Sequence, residues 1–318
     1  MKQVSCNELK DLILSIPNNQ PILVVGHEMT DYDSIGSCYS LTLFLNKLGK
    51  TATYLMEEVD FPKLKRVSTT KYATTSYAEK DYVLFILDMN KTSRMGVLQE
   101  CVKGAKTIIN IDHHEDNSGE ADYALVEPDR SATCSILMDL FKLFDIKIDK
   151  TIASLLYVGI LTDTYCFTRT VNGKTMRDVA ELIDYGIDYQ TLAKKATRDK
   201  TLNEMKALAR MVDVLTYDSY HYVEVDIRED VFKGIDANTL MKNLLPELFN
   251  ISGIDNFVFY GYDGKYVNCL IYSNVGVNVV PIATKFGGGG HKERSGFTTD
   301  KFTLEQIKPE VKNYFKNS

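Results

Sequence analysis

The segment Thr107-Ile108-Ile109-Asn110-Ile111-Asp112-His113-His114 places an acid and two histidines directly after a short apolar run. A run of this length and composition predicts a buried β-strand. In an open α/β sheet, ligands bind in the crevice at the carboxyl ends of the strands, where Asp112, His113 and His114 would lie. Two of the five histidines in the chain are adjacent here. The alternative is that these three residues form a buried hydrogen-bonded cluster. Ligand-type side chains at the ends of other predicted elements would favour the binding site.

The composition indicates a protein of ordinary globular type. The chain has 318 residues, enough for two domains, with 44% hydrophobic and 25% charged residues. A net charge of −6 argues against a protein that tracks long nucleic acid, but bound divalent cations would still admit a small anionic substrate. The sequence shows no signal peptide, no membrane-spanning apolar run and no Cys-x-x-Cys pair. We therefore expect a cytoplasmic protein with no membrane partner and no structural zinc.

A second strand upstream also ends in ligand-type side chains. The apolar run 22–26 predicts a strand that leads into His27, Asp31 and Asp33, and an apolar-periodic helix follows from about Ser34. Capping of that helix by Asp33 or Ser34 is the alternative interpretation. Capping explains one of the three side chains, so this loop is predicted to contribute ligands.

Two more acids stand at the ends of predicted elements. Asp88 follows the buried strand 82–87, and Asp163 ends the predicted helix 151–162. A negative charge near a helix C-terminus opposes the helix dipole, which makes a purely solvated role for Asp163 a poor explanation. Another helix is predicted to begin at Ser131 as its N-cap.

The second half of the chain has a different pattern. Residues 191–215 predict a helical connection with a basic first half, and strand patterns follow. The basic residues Lys63, Lys65, Arg66 and Lys71 are interpreted as a solvated face. Near the C-terminus a predicted helix runs into Gly287-Gly288-Gly289-Gly290-His291. Consecutive glycines allow close approach to a ligand and leave N–H groups for an anion, whereas a flexible linker is the alternative.

Taken together, the first half supplies a large set of carboxylates and imidazoles: His27, Asp31, Asp33, Asp88, Asp112, His113, His114 and Asp163. Such donors without a thiolate suit Mn²⁺ or Mg²⁺. These donors are too many for a single tetrahedral metal site. Two metals ~3.5–4 Å apart would use all of them and would promote in-line displacement at phosphorus. A histidine left free by the metals could reach the phosphoryl group or the leaving group.

These motifs resemble those of the DHH/DHHA1 phosphoesterases over nearly the whole chain. The matching residues are His27-x-x-x-Asp31-x-Asp33-Ser34, Asp88, Asp112-His113-His114, Gly159-Ile160-Leu161-Thr162-Asp163-Thr164, and the glycine run with His291. Each motif is short, but five in order at fitting spacing are specific. The resemblance is greatest to the stand-alone members of the NrnA type, which degrade very short RNA and dephosphorylate 3′-phosphoadenosine 5′-phosphate (pAp).

The resemblance implies an α/β fold of two domains. Residues 1–190 would form the parallel-sheet DHH domain that binds metal, and 216–318 the smaller α/β DHHA1 domain that binds substrate. Residues 191–215 would be the helical linker, with the active site in the cleft between the domains. The expected partner is a short RNA or small nucleotide, and a homodimer is an option that the sequence leaves open.

The resemblance also implies roles for individual residues. One Mn²⁺ would be held by His27, Asp31 and Asp88, and a second by Asp33, Asp88, His113 and Asp163, with Asp88 bridging and Mg²⁺ as the alternative ion. The catalytic pair would be His114, which contacts the scissile phosphate, and Asp112, which orients a neighbour. Substrate would be bound by Gly288, Gly289, Gly290, His291 and Arg294.

Two departures from the family pattern concern substrate binding. Ser273 stands where the family usually has an arginine, and Arg294 follows His291 in place of a small residue. If a helical turn began at His291, Arg294 would share its face and could supply the missing cation. Reaction type is therefore better specified by the sequence than substrate identity.

The expected function is hydrolysis of short oligoribonucleotides, of pAp, or of both. The first alternative is a phosphodiesterase of linear or cyclic dinucleotide messengers such as pApA and cyclic-di-AMP. A family II pyrophosphatase is disfavoured, because that family lacks the glycine signature. A RecJ-like exonuclease is disfavoured as well, because it would require a basic groove and this chain is acidic. A non-enzymatic alternative is a nucleotide-binding regulator that has lost catalysis. Such a protein should lack one or more of the expected metal ligands.

Overall fold

The computed structural model consists of two compact units, residues 1–199 and 200–318. It describes residues 1–28, 30–67, 73–75, 77, 80–115, 117, 119–168, 171–197, 200–218, 222–227, 235, 240, 244–249, 251–262 and 264–318. The boundary falls inside the segment predicted as a linker, 191–215, which overlaps one helix from each unit. The assignment of catalysis and substrate binding to separate domains stays a prediction. Lys71, from the basic cluster, lies outside the described residues.

Unit 1 is built on a parallel sheet. Its strands are β1 Lys2–Gln3, β2 Pro21–Val25, β3 Thr51–Leu55, β4 Ala73–Thr74, β5 Tyr82–Leu87, β6 Ala105–Asp112 and β7 Tyr123–Val126. Over the described ranges their order is β1-β7-β6-β5-β2-β3-β4, and every neighbouring pair is parallel. The three strands predicted to end in ligands, β6, β5 and β2, are therefore adjacent in the sheet. This confirms the predicted α/β fold class.

Helices cover the sheet of unit 1. They are α1 Cys6–Ser15, α2 Tyr32–Lys47, α3 Phe61–Val67, α4 Thr133–Lys142, α5 Lys150–Asp163, α6 Gly173–Asp184 and α7 Tyr189–Thr197, with 3₁₀ segments at Glu58–Asp60 and Thr92–Gly104. Alternate residues of β5 pack on opposite sides: Phe85 joins the core with α2, α4 and α5, whereas Leu84 packs with Met95 and Cys101 of the second 3₁₀ segment. Burial of both faces explains why these strands read as continuous apolar runs.

The pair α2 and α5 forms the centre of this core, and glycines let the two helices approach closely. A Cβ added to Gly36 would lie 2.6 Å from the Leu155 carbonyl oxygen. A Cβ added to Gly159 would lie 2.3 Å from Cys134 Sγ and 2.9 Å from Asp33 Oδ1. These contacts bring α5, with Asp163 at its end, against the first turn of α2, where Asp33 lies.

Unit 2 has a mixed sheet. Its elements are α8 Leu202–Asp213, β8 Leu215–Asp218, β9 Tyr222–Ile227, α9 Leu245–Leu248, β10 Asn256–Tyr262, β11 Val267–Ser273, α10 Val280–Lys285, β12 Gly289–His291, β13 Arg294–Thr299 and α11 Leu304–Lys316. Within the described residues the strand order is β12-β13-β11-β10-β9-β8, and β9 pairs with β10 in parallel. Helices α10 and α11 pack on one face of the sheet, and α8 and α9 on the other.

None of the helices in the described ranges has the length and apolarity required to cross a bilayer.

We expect Gly36→Ala to destabilise the protein. Alanine is the better helix former by about 1 kcal/mol, but overpacking in a close helix contact costs about 1–3 kcal/mol. Urea unfolding should therefore show a lower unfolding free energy. Gly173→Ala is the matched control, because a Cβ there meets only the flexible end of Arg177. Equal stability of the Gly36→Ala protein and the wild type would show that α2 and α5 separate without cost.

Candidate metal centre

The predicted ligands of unit 1 meet at the carboxyl ends of β2, β5 and β6. His27 follows β2, Asp88 follows β5, and His113 follows β6. Asp33 lies in the first turn of α2, and Asp163 is the last residue of α5. Parallel strands end at one edge of the sheet, which brings side chains from distant sequence segments into a single site.

The first group of donors contains His27, Asp31 and Asp88, whose ligand atoms all lie within 4.8 Å of one another. His27 Nε2 is 3.5 Å from Asp31 Oδ2 and 3.6 Å from Asp88 Oδ2. These separations are too long for hydrogen bonds. They suit two ligands that each lie about 2.1 Å from a shared small cation.

The second group contains Asp33, His113 and Asp163. His113 Nε2 is 3.5 Å from Asp163 Oδ2 and 3.6 Å from Asp88 Oδ1. Asp88 thus faces His27 with one carboxylate oxygen and His113 with the other. The two groups predicted to hold two ions are brought together as predicted, while their role as metal ligands stays a proposal.

Asp88 has an uncommon backbone conformation, with φ 58°. Aspartate adopts this left-handed region more readily than most residues, but such positions are uncommon and concentrate at functional sites. Two contacts hold it: its N–H donates to the Ile111 carbonyl at 3.0 Å, and Thr133 Oγ1 donates to Oδ1 at 3.1 Å. The turn away from β5 therefore places the carboxylate between the two histidines.

Backbone carbonyls fix the orientation of both histidines. His27 Nδ1 lies 2.7 Å from the Glu28 carbonyl oxygen, and His113 Nδ1 lies 3.2 Å from that of Arg130. A carbonyl only accepts, so Nδ1 must carry the hydrogen in each ring. In the neutral ring Nε2 then carries the lone pair, and it faces the carboxylates, as a metal-binding histidine requires.

The N-terminus of α4 binds the Asp33 carboxylate. The N–H groups of Thr133 and Cys134 donate to its two oxygens at 2.7 and 3.0 Å. The prediction that Ser131 caps this helix is therefore wrong: the N-cap is Ala132, without a side-chain bond, because an acid from α2 satisfies the first N–H groups. In α2 the cap is Asp31, not Asp33 or Ser34.

Asp112 and His114 form a separate pair beside the two groups. Asp112 is fully buried; its Oδ1 accepts from His114 Nδ1 at 2.6 Å, and its Oδ2 from Asn117 Nδ2 at 2.8 Å. Burial opposes ionisation of Asp112, but these hydrogen bonds outweigh it and lower its pKa. Burial likewise disfavours the His114 cation, yet the bond and charge of Asp112 raise the His114 pKa. His114 also lies within ligand distance of Asp88 and His113.

Carboxylates are crowded in this site. Burial, followed by the charges of Asp33 and Asp88, raises the pKa of Asp163 to about 10. Burial and the Asp88 charge also raise the pKa of Asp33 well above its usual value. Divalent cations would reverse this balance and favour the ionised forms. The donor set therefore fits hard cations such as Mn²⁺ or Mg²⁺.

In unit 2 the glycine run first serves to end a helix. The Gly287 N–H donates to Thr284 and the Gly288 N–H to Ala283, both at 3.0 Å, as in a Schellman cap of α10. A Cβ on Gly288 would also lie 2.1 Å from the Gly296 carbonyl oxygen. The N–H of Gly288 is thus used within the fold, and substrate binding by this glycine stays a prediction. Gly289 and Gly290 continue into β12.

Arg294 is placed by a β-hairpin and not by a helical turn. His291 of β12 pairs with Arg294 of β13 across the two-residue turn Lys292-Glu293, so the predicted helical geometry is wrong, although the two residues are neighbours. The Arg294 guanidinium lies 5.1 Å from the Tyr272 ring centroid. Ser273 is buried, and its hydroxyl accepts from the Val277 N–H at 3.2 Å. The side chain of His291 lies outside the described residues.

Three residues with clear positions at the site were not identified from the sequence. Asn117 binds Asp112, Thr133 binds Asp88, and the Arg130 carbonyl orients His113. Arg130 is itself buried and paired with Asp178 at 3.0 Å. Their signal in the sequence is weak, because each acts through a contact between distant segments.

Comparison with known proteins identifies the class. Residues 21–160 match the model of the DHH family, N-terminal domain. Residues 21–160 therefore form a DHH-family N-terminal domain, and the chain is a metal-dependent phosphoesterase.

Two curated relatives are similar over most of the chain. The bifunctional oligoribonuclease and PAP phosphatase NrnA of Thermus thermophilus is 28% identical over 291 residues, which cover 90% of this chain and 86% of the relative. The cyclic-di-AMP phosphodiesterase PdeA of Listeria monocytogenes is 23% identical over 93% of this chain. The chain spans about half of that second relative, namely 47% of its length.

Solved structures share the fold. An exopolyphosphatase-related protein from Bacteroides fragilis superposes with a TM-score of 0.78 at 18% identity, covering 98% of this chain and 95% of its own. The exonuclease RecJ bound to manganese superposes with a TM-score of 0.59 at 13% identity, covering 100% and 96%. At these identities the likeness establishes the fold alone.

We predict that the metal-free protein loses stability as pH rises. The pKa of Asp163 is raised to about 10 from 3.8, and that of His27 to about 10 from 6.5, because Asp31 and Asp88 outweigh the opposing effect of burial on His27. The folded state thus binds more protons than the unfolded chain, so the unfolding free energy falls with pH. The fall should run from about pH 4 to 10 for Asp163 and from about 6.5 to 10 for His27.

Urea unfolding in EDTA at pH 5, 7 and 9 would measure this slope. Asp163→Asn should flatten it, and Mn²⁺ should stabilise the wild type most at high pH, where it does not compete with protons. A stability that increases between pH 7 and 9 in EDTA would contradict the raised pKa values.

Proposed function

We propose that this chain is a two-metal phosphoesterase that hydrolyses short oligoribonucleotides and pAp. One observation carries the proposal: Asp88 directs one oxygen toward His27 and the other toward His113, at 3.6 Å each. A single carboxylate between two donor groups is the arrangement that a bridged metal pair requires. A lone ion would leave one of the two groups unused.

The proposed ligands follow the two donor groups. One Mn²⁺ would be held by His27, Asp31 and Asp88, and a second by Asp33, Asp88, His113 and Asp163. The manganese bound to the RecJ exonuclease of similar fold supports the choice of ion. Mg²⁺ remains the alternative, because the same oxygen and imidazole donors suit it.

The residues around the metals would position and neutralise the reacting phosphate. Two bound ions lower the pKa of an attacking water and offset the charge that develops on phosphorus. The α4 N–H groups hold Asp33, and the carbonyls of Glu28 and Arg130 hold the two histidine rings. Asp112 binds His114 through Nδ1 and raises its pKa, which leaves Nε2 to donate a proton toward a phosphoryl oxygen or the leaving group.

The relatives favour short RNA and pAp as substrates. The match to the oligoribonuclease and PAP phosphatase extends over 90% of this chain and 86% of the relative. Hydrolysis of linear or cyclic dinucleotides is the second candidate, supported by the 23% identity to a cyclic-di-AMP phosphodiesterase over 93% of this chain. A non-catalytic regulator is disfavoured, because both donor groups are complete.

A substrate panel in Mn²⁺ tests the proposal. The panel contains pAp, pApA, cyclic-di-AMP, di- to pentaribonucleotides and pyrophosphate. We expect hydrolysis of the oligoribonucleotides and pAp, and loss of activity on chelation. Turnover of cyclic-di-AMP with none of short RNA or pAp would replace the first candidate by the second.

Asp88→Asn should abolish hydrolysis of every substrate in that panel, because one carboxylate serves both ions. Asparagine keeps the volume and tolerates the left-handed backbone, so the fold should be retained. Asp81→Asn is the matched control, since Asp81 stands at the opposite end of the same strand, also with positive φ (64°). Near-normal turnover in Asp88→Asn, with normal circular dichroism, would refute the bridged pair.

We further predict different defects for the two adjacent histidines. His113→Ala should lower the bound Mn²⁺ from two equivalents toward one, because its Nε2 faces the second group. His114→Ala should keep both ions but lower kcat by about 10²–10⁴-fold, as for a positioned acid–base group. Metal content after desalting and steady-state kinetics measure the two effects. Equal loss of metal in both variants would show that His114 is a ligand.

A further inference from the structure

A basic cavity lies on unit 1 between α3 and α7, and none of the proposed metal ligands lines it. It has a volume of about 360 Å³ and is lined by Lys65, Arg66, Thr191, Lys194 and Lys195. The sequence suggested two unrelated features here, a solvated face and the basic start of a linker. The fold joins them, because α3 packs against α7.

The four cations of this cavity are exposed. In the part of the chain that the structure describes, none of them forms an ion pair within 4.0 Å. The acid at the start of α7, Asp188, accepts a hydrogen bond from the Thr191 N–H at 3.1 Å. The lining contains no acidic residue, so the cavity concentrates positive charge in a chain that has 43 acids against 37 bases.

Helix dipoles do not explain this concentration of charge. Lys65 and Arg66 lie in the last turn of α3, and Lys194 and Lys195 in the last turn of α7. Each helix C-terminus carries roughly half a negative charge. Two helix ends therefore offset about one of the four positive charges. The remaining charge is available to an anion with more than one negative group.

The cavity is connected to the metal centre through α3. Thr30, in the loop between His27 and Asp31, donates its N–H to Asp60 Oδ2 at 3.3 Å. Lys63 Nζ donates to the Thr30 carbonyl at 2.7 Å. The near end of α3 thus holds the metal-binding loop, and its far end carries Lys65 and Arg66. A helix of 7 residues spans about 10 Å, a distance that a short oligonucleotide can bridge.

We infer that this cavity binds the phosphates of an oligoribonucleotide that lie beyond the scissile one. The inference rests on the proposed function, and it names the substrate class as chains of three or more nucleotides. Arg66 would bind a phosphate with its planar fork, and the three lysines would act as point charges. A mononucleotide such as pAp would fill the metal centre without reaching these groups.

The test compares two charge-reversed proteins. Lys194→Glu/Lys195→Glu changes the cavity, and Lys106→Glu/Lys147→Glu makes the same change at two exposed lysines outside it. We expect KM for a pentaribonucleotide to rise roughly ten-fold or more in the cavity variant, with little change for pAp. The slope of log KM against log salt should fall by about 0.7 for each lost phosphate contact. The control should match the wild type in both measures.

Binding without turnover separates this inference from the proposed function. Fluorescence anisotropy with a 5′-fluorescein pentaribonucleotide in EDTA should show weaker binding to the cavity variant than to the control. If the wild type hydrolyses no oligoribonucleotide, the proposed function fails, whereas the anisotropy still reports on the cavity. Equal anisotropy, KM and salt slopes in the two variants would overturn the inference. An equal rise of KM for pAp and the pentamer would also overturn it, because the effect would not depend on length.

Discussion

Like charge held together in a buried site is the constraint that organises unit 1. Asp33, Asp88 and Asp163 converge from three elements, and burial with mutual repulsion raises the pKa of Asp163 to about 10. Such a cluster is costly unless cations or donors compensate. The surrounding structure supplies part of that compensation through the α4 N–H groups on Asp33 and the Thr133 hydroxyl on Asp88. Bound divalent ions would supply the rest.

The scaffold explains how these groups stay in place. The histidine rings are held by backbone carbonyls, and the carboxylates stand at the ends of buried strands and helices. Because α2 and α5 approach through Gly36 and Gly159, Asp33 and Asp163 belong to one packed unit. Sites on rigid elements are held more accurately than sites on loops. The left-handed backbone conformation at Asp88 is strained, and the rigid elements around it hold it in place.

The same fold distributes charge unevenly. The chain is acidic, with a net charge of −6, yet α3 and α7 gather four exposed cations within one cavity. An acidic surface disfavours long nucleic acid, whereas a compact basic cavity favours a few phosphates at a defined distance. The metal centre and the cavity together would select for short substrates. Hydrolysis would take place at the metal centre, and the cavity would bind the phosphates beyond the scissile one.

The parallel α/β class and most side chains of the candidate metal centre were predictable from the sequence alone, because strand periodicity and the rule for carboxyl ends are local signals. Features that depend on contacts between distant segments were visible only in the folded chain. The tertiary structure capped α4 with Asp33 in place of Ser131, used Gly288 to end a helix, and set Arg294 opposite His291 in a hairpin. It also joined two basic segments more than a hundred residues apart. Hydrogen-bond partners and charge neighbours arise from packing, and no local pattern encodes them.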